Sequence, residues 1–136
     1  MAIATPPSWH LRDRTLQWGD RTYVMGILNV TPDSFSDGGD FQDVKSAIAQ
    51  AQHLIQAGVD ILDIGGQSTR PGAVNIPIEA EKRRVVPVIE EIRASADPQL
   101  ATAIISVDTT QSEVARAAVR AGADLVNDIS GGTFDS

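Results

Sequence analysis

Two stretches of this chain are near copies of each other: AGVDILDIGG (57–66) is matched by AGADLVNDISGG (121–132), 64 positions later. Each copy carries a glycine suited to ending a helix, followed by an apolar run suited to a buried strand. An offset of that size holds two strand–helix units, about 32 residues each, and eight such units need about 250 residues, the usual size of a (β/α)₈ barrel. The chain has 136 residues, room for four strands. The repeat therefore predicts an α/β protein forming the first half of a (β/α)₈ TIM barrel.

The rest of the sequence fits that frame. Residues 1–14 read as a loose leading segment, and residues 15–136 as the half-barrel domain. In TLQWGDRTYVMGI, Gly19-Asp20 between alternating apolar residues predicts a small hairpin. Strand-like runs cover Tyr23–Val30, Val59–Ile64, Ala103–Thr109 and Ala123–Ile129, rich in Val, Ile and Leu on both faces as in a covered parallel sheet. Helical periods lie between them. Val44, Ile48, Ala51 and Ile55 mark the first, with Gly58 as its stop; Ile78, Val85, Ile89 and Ile92 mark the second, where Pro87 predicts a kink or a helix in two pieces. The third runs from about Ser112 to Ala121, with Thr110 and Glu113 at capping-box spacing. A small open parallel sheet is the plainer alternative, but no phosphate-binding G-x-G-x-x-G follows the first strand. A half-barrel would also leave two strand edges unpaired, inviting dimerisation or aggregation.

Composition narrows the function. A formal charge of -7, with 11 scattered Lys and Arg, argues against a nucleic-acid surface. There is no cysteine, which excludes disulfides and thiolate metal sites. No run resembles a signal peptide or a membrane span, so a reducing cytoplasm is the expectation.

In a barrel the chemistry sits at the C-terminal ends of the strands. Asn29, Asp63, Asp108 and Asn127 are expected there, one on each strand, with Asp63 and Asn127 at equivalent places in the repeat. Ile104, Ser106 and Asp108 share a face by period two. Two carboxylates and two amides converging on one mouth suit a flat heterocycle bearing several N–H and C=O groups. Asp128 alternates to the other face and reads as a loop cap; Asp60 and Asp124 begin strands and carry no assigned role. The loop GGQSTRPGA (65–73) offers Ser68, Thr69 and Arg70, hydroxyls beside a guanidinium that match phosphate oxygens, although a surface arginine before a proline reads equally well. Neither histidine looks catalytic: His53 lies off its helix's apolar stripe and His10 in the leading segment. Trp9, Trp18 and Tyr23 read as packing for the hairpin, and Arg83 and Arg84 as a charged helix face.

MGILNVTPDSFSDGG (25–39), DILDIGGQSTRPGA, ISVDTT and VNDISGG together resemble dihydropteroate synthase, a family of folate biosynthesis within the pterin-binding barrels. The resemblance runs from about residue 20 to 132; Gln67 stands where many members carry Glu. It implies condensation of 6-hydroxymethyl-7,8-dihydropterin diphosphate with p-aminobenzoate, giving 7,8-dihydropteroate and pyrophosphate. It further implies that Asn29 helps hold Mg²⁺ on the diphosphate, that Asp108 and Asn127 bond the pterin, and that Asp63 supports that pocket. Thr69 and Arg70 would lie against the diphosphate. Phe35, Thr69 and Pro71 would wall the p-aminobenzoate site, and Asp37 would close over the reacting carbon. Charge neutralisation by Mg²⁺ and Arg70 would drive pyrophosphate departure, with bond breaking ahead of aniline attack.

Members of the family hold further site residues in their second half, so a polypeptide of these 136 residues alone is expected to be inactive or nearly so. The expected partners are the two small substrates, with no nucleic acid and no membrane, and a homodimer for the full-length parent. Two rival readings remain at this stage. One is a pterin-binding methyltransferase-type barrel, which has no use for a diphosphate. The other is a non-catalytic half-barrel that binds pterin or a partner chain.

Overall fold

A computed structural model of the chain describes residues 7–30, 41–67, 76–133 and 135, with the side chains of 41–43 left undescribed. Strands β3 (Met25–Asn29), β4 (Ile61–Gly65), β5 (Ile104–Asp108) and β6 (Leu125–Asn127) form one parallel sheet in that order. Between them run α1 (Phe41–Ala57), α2 (Ile78–Arg93), the short α3 (Pro98–Ala101) and α4 (Ser112–Ala121). Each strand pairs with its predecessor and the order never reverses. That is how a barrel is wound, whereas an open doubly wound sheet turns back at a switch point.

The two sheet faces carry different cores. On one, Leu28, Leu62, Ile64, Ile105 and Val107 pack against Ala51, Val85, Val88, Ile89 and Ala118 of the helices. On the other, Leu16 packs on Ile61 and Ile104, with Trp18, Tyr23 and Leu125 around them. The leading hairpin thus seals the N-terminal end of the inner face. The sheet edges stay apolar and open: Ile27 is 60% exposed on β3 and Val126 49% on β6.

Among the described residues, sequence and structure differ in several elements. The hairpin forms earlier than expected, between β1 (Ser8–Leu11) and β2 (Arg14–Gln17), with Trp9 opposite Leu16; His10 therefore lies in a strand, bonded to Thr15. Arg12 at its turn adopts the left-handed region (φ 57°), which a non-glycine residue rarely does. Tertiary contacts offset that strain, because Arg12 pairs with Asp124 at 2.8 Å and donates to the Gly122 carbonyl. Gly19-Asp20 does turn, but the strand that follows, β3, joins the parallel sheet rather than the hairpin; the Tyr23 hydroxyl instead accepts from Gln17 N and donates to Gln17 O.

α2 runs unbroken through Pro87. The carbonyl that loses its helical partner belongs to Arg83, an exposed residue, where water can replace the missing N–H. The capping box before α4 does not form. Gln111 is the N-cap and makes no side-chain cap bond; the Ser112 N–H is met by Asp135 at 2.6 Å instead. Finally, Arg84 leaves the charged face assigned to it and donates to the Gly66 carbonyl at 2.9 Å.

The repeat is structural as well as sequential. Gly58 and Gly122 both take positive φ and both close a helix with the six-residue bond of a Schellman motif, Val59 N–H to Leu54 O and Ala123 N–H to Ala118 O. Two residues beyond each glycine, an aspartate then grips the neighbouring strand. Asp60 accepts the Val24 N–H and pairs with Arg21; Asp124 accepts the Ile105 N–H and pairs with Arg93.

Candidate functional site

Period-two alternation and the strand registers stack the inner face into layers. Met25, Ile61 and Ile104 form the lowest, beside the hairpin. Ile27, Asp63, Ser106 and Leu125 come next, and Asn29, Gly65, Asp108 and Asn127 lie at the C-terminal ends. Apolar floor gives way to polar mouth within two layers. The four polar residues expected from the sequence do share this face. Asp63 is not at its strand's end, however: it sits mid-strand, one layer deeper, because β4 runs on to Gly65.

That depth makes Asp63 the buried member of the group, at 4% exposure. Its Oδ2 accepts from Asn127 Nδ2 at 3.2 Å, but among the described residues its buried Oδ1 has no partner, nor has the hydroxyl of fully buried Ser106 beside it in register. Buried polar atoms without partners are uncommon and costly. By register both residues lie on the inner face of the sheet.

Asp108 lies above. Burial, with the negative charges of Asp63, Glu81 and Asp128 added, pushes its carboxyl up to about 6. Gly65 opposite has no side chain, and a Cβ there would come within 3.3 Å of the Asp108 carboxylate. The glycine leaves that carboxylate its room. Asn29 ends β3 and is exposed. Among the described residues no three His, Asp or Glu gather as a metal cage would require. A single strand-end amide fits only a cation that arrives mostly coordinated by a ligand's phosphates, as Mg²⁺ commonly is.

Phe35, Asp37, Thr69, Arg70 and Pro71 lie outside the described residues, so their expected roles stand as sequence readings. Gln67 accepts from Ile76 N at 3.2 Å, bridging the two ends of the 68–75 segment. Asp128 accepts from the Ser130 N–H and hydroxyl and from Gly132 N, the loop-capping role read from its alternation. His53 is exposed, and Trp9, Trp18 and Tyr23 stack edge-on as hairpin packing.

Sequence reasoning missed Ser106 and Gly65, although period two placed both on the inner face. It also missed Glu81, which is buried on α2 and accepts from the Thr109 hydroxyl at 2.6 Å. Glu81 lies three residues from Ile78 and four from Val85, on the apolar stripe, and a charge at that position was the signal.

Comparison with known proteins agrees with this geometry. The family model described as "Pterin binding enzyme" matches residues 25–136. A dihydropteroate synthase of Synechocystis is 53% identical over 130 residues, covering 96% of this chain and 43% of its own length. The structure of Xanthomonas albilineans dihydropteroate synthase with 4-aminobenzoic acid superposes with a TM-score of 0.81 at 50% identity, covering 93% of this chain and 45% of that one. Yersinia pestis dihydropteroate synthase in a sulfonamide drug complex gives 0.79 at 43% identity, covering 95% and 45%. The chain thus spans less than half the length of the relatives it matches. With a partial (β/α)₈ barrel, an inner face of paired carboxylates and amides, and a family match across most of its residues, this chain belongs to the pterin binding enzyme family.

Proposed function

We propose that this chain supplies the pterin-binding part of a dihydropteroate synthase, which joins 6-hydroxymethyl-7,8-dihydropterin diphosphate to p-aminobenzoate in folate biosynthesis. The observation that carries the reading is the inner-face group of Asp63, Ser106, Asp108 and Asn127, in which two buried oxygens have no partner among the described residues. A pterin edge sets an amino group beside a ring N–H and a carbonyl. Carboxylate acceptors match the first two and an amide can serve the third. Asp108 and Asn127 would bond the ring and Asp63 would hold Asn127 in place. Asn29 would lend an oxygen to Mg²⁺, which supplies charge neutralisation at the departing diphosphate. Thr69 and Arg70 would lie against that diphosphate, Phe35 and Pro71 against the aminobenzoate, and Asp37 over the reacting carbon.

Pterin calorimetry on the full-length protein tests this. Asp108→Ala should weaken binding sharply, and unchanged affinity would remove Asp108 from the pocket. A diphosphate-substrate assay with Mg²⁺ separates the synthase from a methyltransferase-type barrel. The setting proposed is cytoplasmic; among the described residues no helix is long and apolar enough to cross a membrane.

The exposed apolar edges at Ile27 and Val126 favour a second reading for residues 1–136 as an isolated polypeptide: a non-catalytic half-barrel that binds pterin or pairs with a partner chain. Light scattering with a pterin titration and a turnover assay distinguishes the two: a folded, pterin-binding oligomer without turnover favours the half-barrel, and turnover by the isolated polypeptide excludes it. For the full-length protein a homodimer is proposed.

A further inference from the structure

Glu81 is a carboxylate where the helix pattern asks for a hydrocarbon. It projects from α2 into the layer between helices and sheet, on the side away from the inner face, and burial raises its pKa. Placing an ionisable group there is costly unless it is paired. Its partner is Thr109, the residue after Asp108. The Thr109 hydroxyl donates to Glu81 at 2.6 Å and accepts from Gln111 N at 3.2 Å, while the Thr109 N–H donates to the Asn127 carbonyl at 3.2 Å. One threonine thereby joins α2, the end of β5, the start of α4 and the end of β6. Arg84, three residues beyond Glu81, holds the Gly66 carbonyl at the end of β4. The first turns of α2 therefore grip three neighbouring strand ends, and two of these carry Asp108 and Asn127.

We propose that Glu81 and Thr109 are positioning residues for the pterin pocket: their hydrogen bond fixes the ends of β5 and β6, and with them the spacing of Asp108 and Asn127. The inference rests on the pterin-binding reading above. Neither residue faces the inner side: they act through the backbone that carries the ligand-facing groups, and the charge of Glu81 adds to the electrostatic field at Asp108. A hydrocarbon at position 81 could fill the same space but would not set a direction.

A double variant separates positioning from stabilisation. Glu81→Met with Thr109→Val removes both side-chain partners together and leaves only the part-buried Gln111 N–H to find a new acceptor, so the fold should survive. If the pair positions the pocket, this variant of the full-length protein stays folded by circular dichroism but binds 6-hydroxymethylpterin at least about tenfold more weakly in calorimetry. Thr109→Ser keeps the hydroxyl and should bind within about threefold of wild type. A folded double variant with wild-type affinity overturns the proposal, as does Thr109→Ser binding as weakly as the double variant. Wild-type protein that binds no pterin overturns the functional reading itself, a result distinct from either.

Discussion

The side-chain amide of Asn127 donates to the carboxylate of Asp63, its counterpart one internal repeat earlier, across 3.2 Å. The bond passes over β5 and ties the mouth of the site to its buried layer. Asn127→Asp removes the donor and sets a third carboxylate beside Asp63 and Asp108. Stability at pH 7 should fall by about 1–3 kcal/mol, the cost of an unsatisfied buried polar group. The deficit should shrink below pH 5, where carboxyls take up protons. Urea denaturation at both pH values checks this, and a pH-independent deficit would contradict it.

Asp108 sets the expected pH dependence. Its folded value of about 6 lies above the ordinary 3.8, so the folded state favours the protonated form. The stability it contributes is complete below 3.8 and lost as pH rises through about 6. Asp108→Asn should therefore match wild type near pH 4 and exceed it at pH 7, and denaturation midpoints at the two pH values would show it. Pterin affinity should run the other way in the wild type, weakening as pH falls through about 6 and the acceptor is protonated.

Adjacent glycines should respond differently. A methyl at Gly65 meets chiefly the Asp108 side chain, at 3.3 Å, whereas one at Gly66 meets Val85 at 3.0 Å and the Glu81 carbonyl at 3.2 Å. Gly65→Ala should displace the carboxylate and weaken pterin binding with little loss of stability. Gly66→Ala overpacks the contact with α2 and should cost about 1–3 kcal/mol. Thermal melts paired with calorimetry separate the two, and equal melting losses would contradict the assignment.

The two strand-start aspartates are alike in geometry and unequal in shielding. Arg93, opposite Asp124, is 14% exposed in its side chain, while Arg21, opposite Asp60, is 55% exposed. Without its partner Arg21 turns to water; Arg93 is left charged in a half-buried place, donating to the carbonyls of Ala101, Ala103 and Gly122. Asp124→Ala should thus approach the roughly 3–5 kcal/mol of a broken buried pair, and Asp60→Ala should cost less. Denaturant midpoints of the two variants rank them directly.

The fold was legible because burial on both faces gave unbroken Val/Ile/Leu runs and because glycines marked the ends of α1 and α4. Asn29, Asp108 and Asn127 were legible as polar residues at the ends of such runs. What the sequence hid depends on contacts between distant residues. Arg12 sits at the hairpin turn with Asp124 and the Gly122 carbonyl against it, and Ser112 finds its cap in Asp135. Thr109 shows the same limit: as one residue of SVDTT it looks like any loop hydroxyl, and only the approach of Glu81, 28 positions earlier, gives it a direction.

The repeat divides each of its strands into a shared end and a private one. At the start, Asp60 and Asp124 are the same residue making the same bond to the preceding strand; three residues on, Asp63 and Asn127 differ, and each meets the other. Two βα modules are thus seated alike at one rim and made unlike at the other. Exchanging Asp63 and Asn127 would keep the seating and invert the donor–acceptor order that a bound heterocycle meets. Such a chain could keep its architecture while preferring a ring with the opposite arrangement of hydrogen-bonding groups.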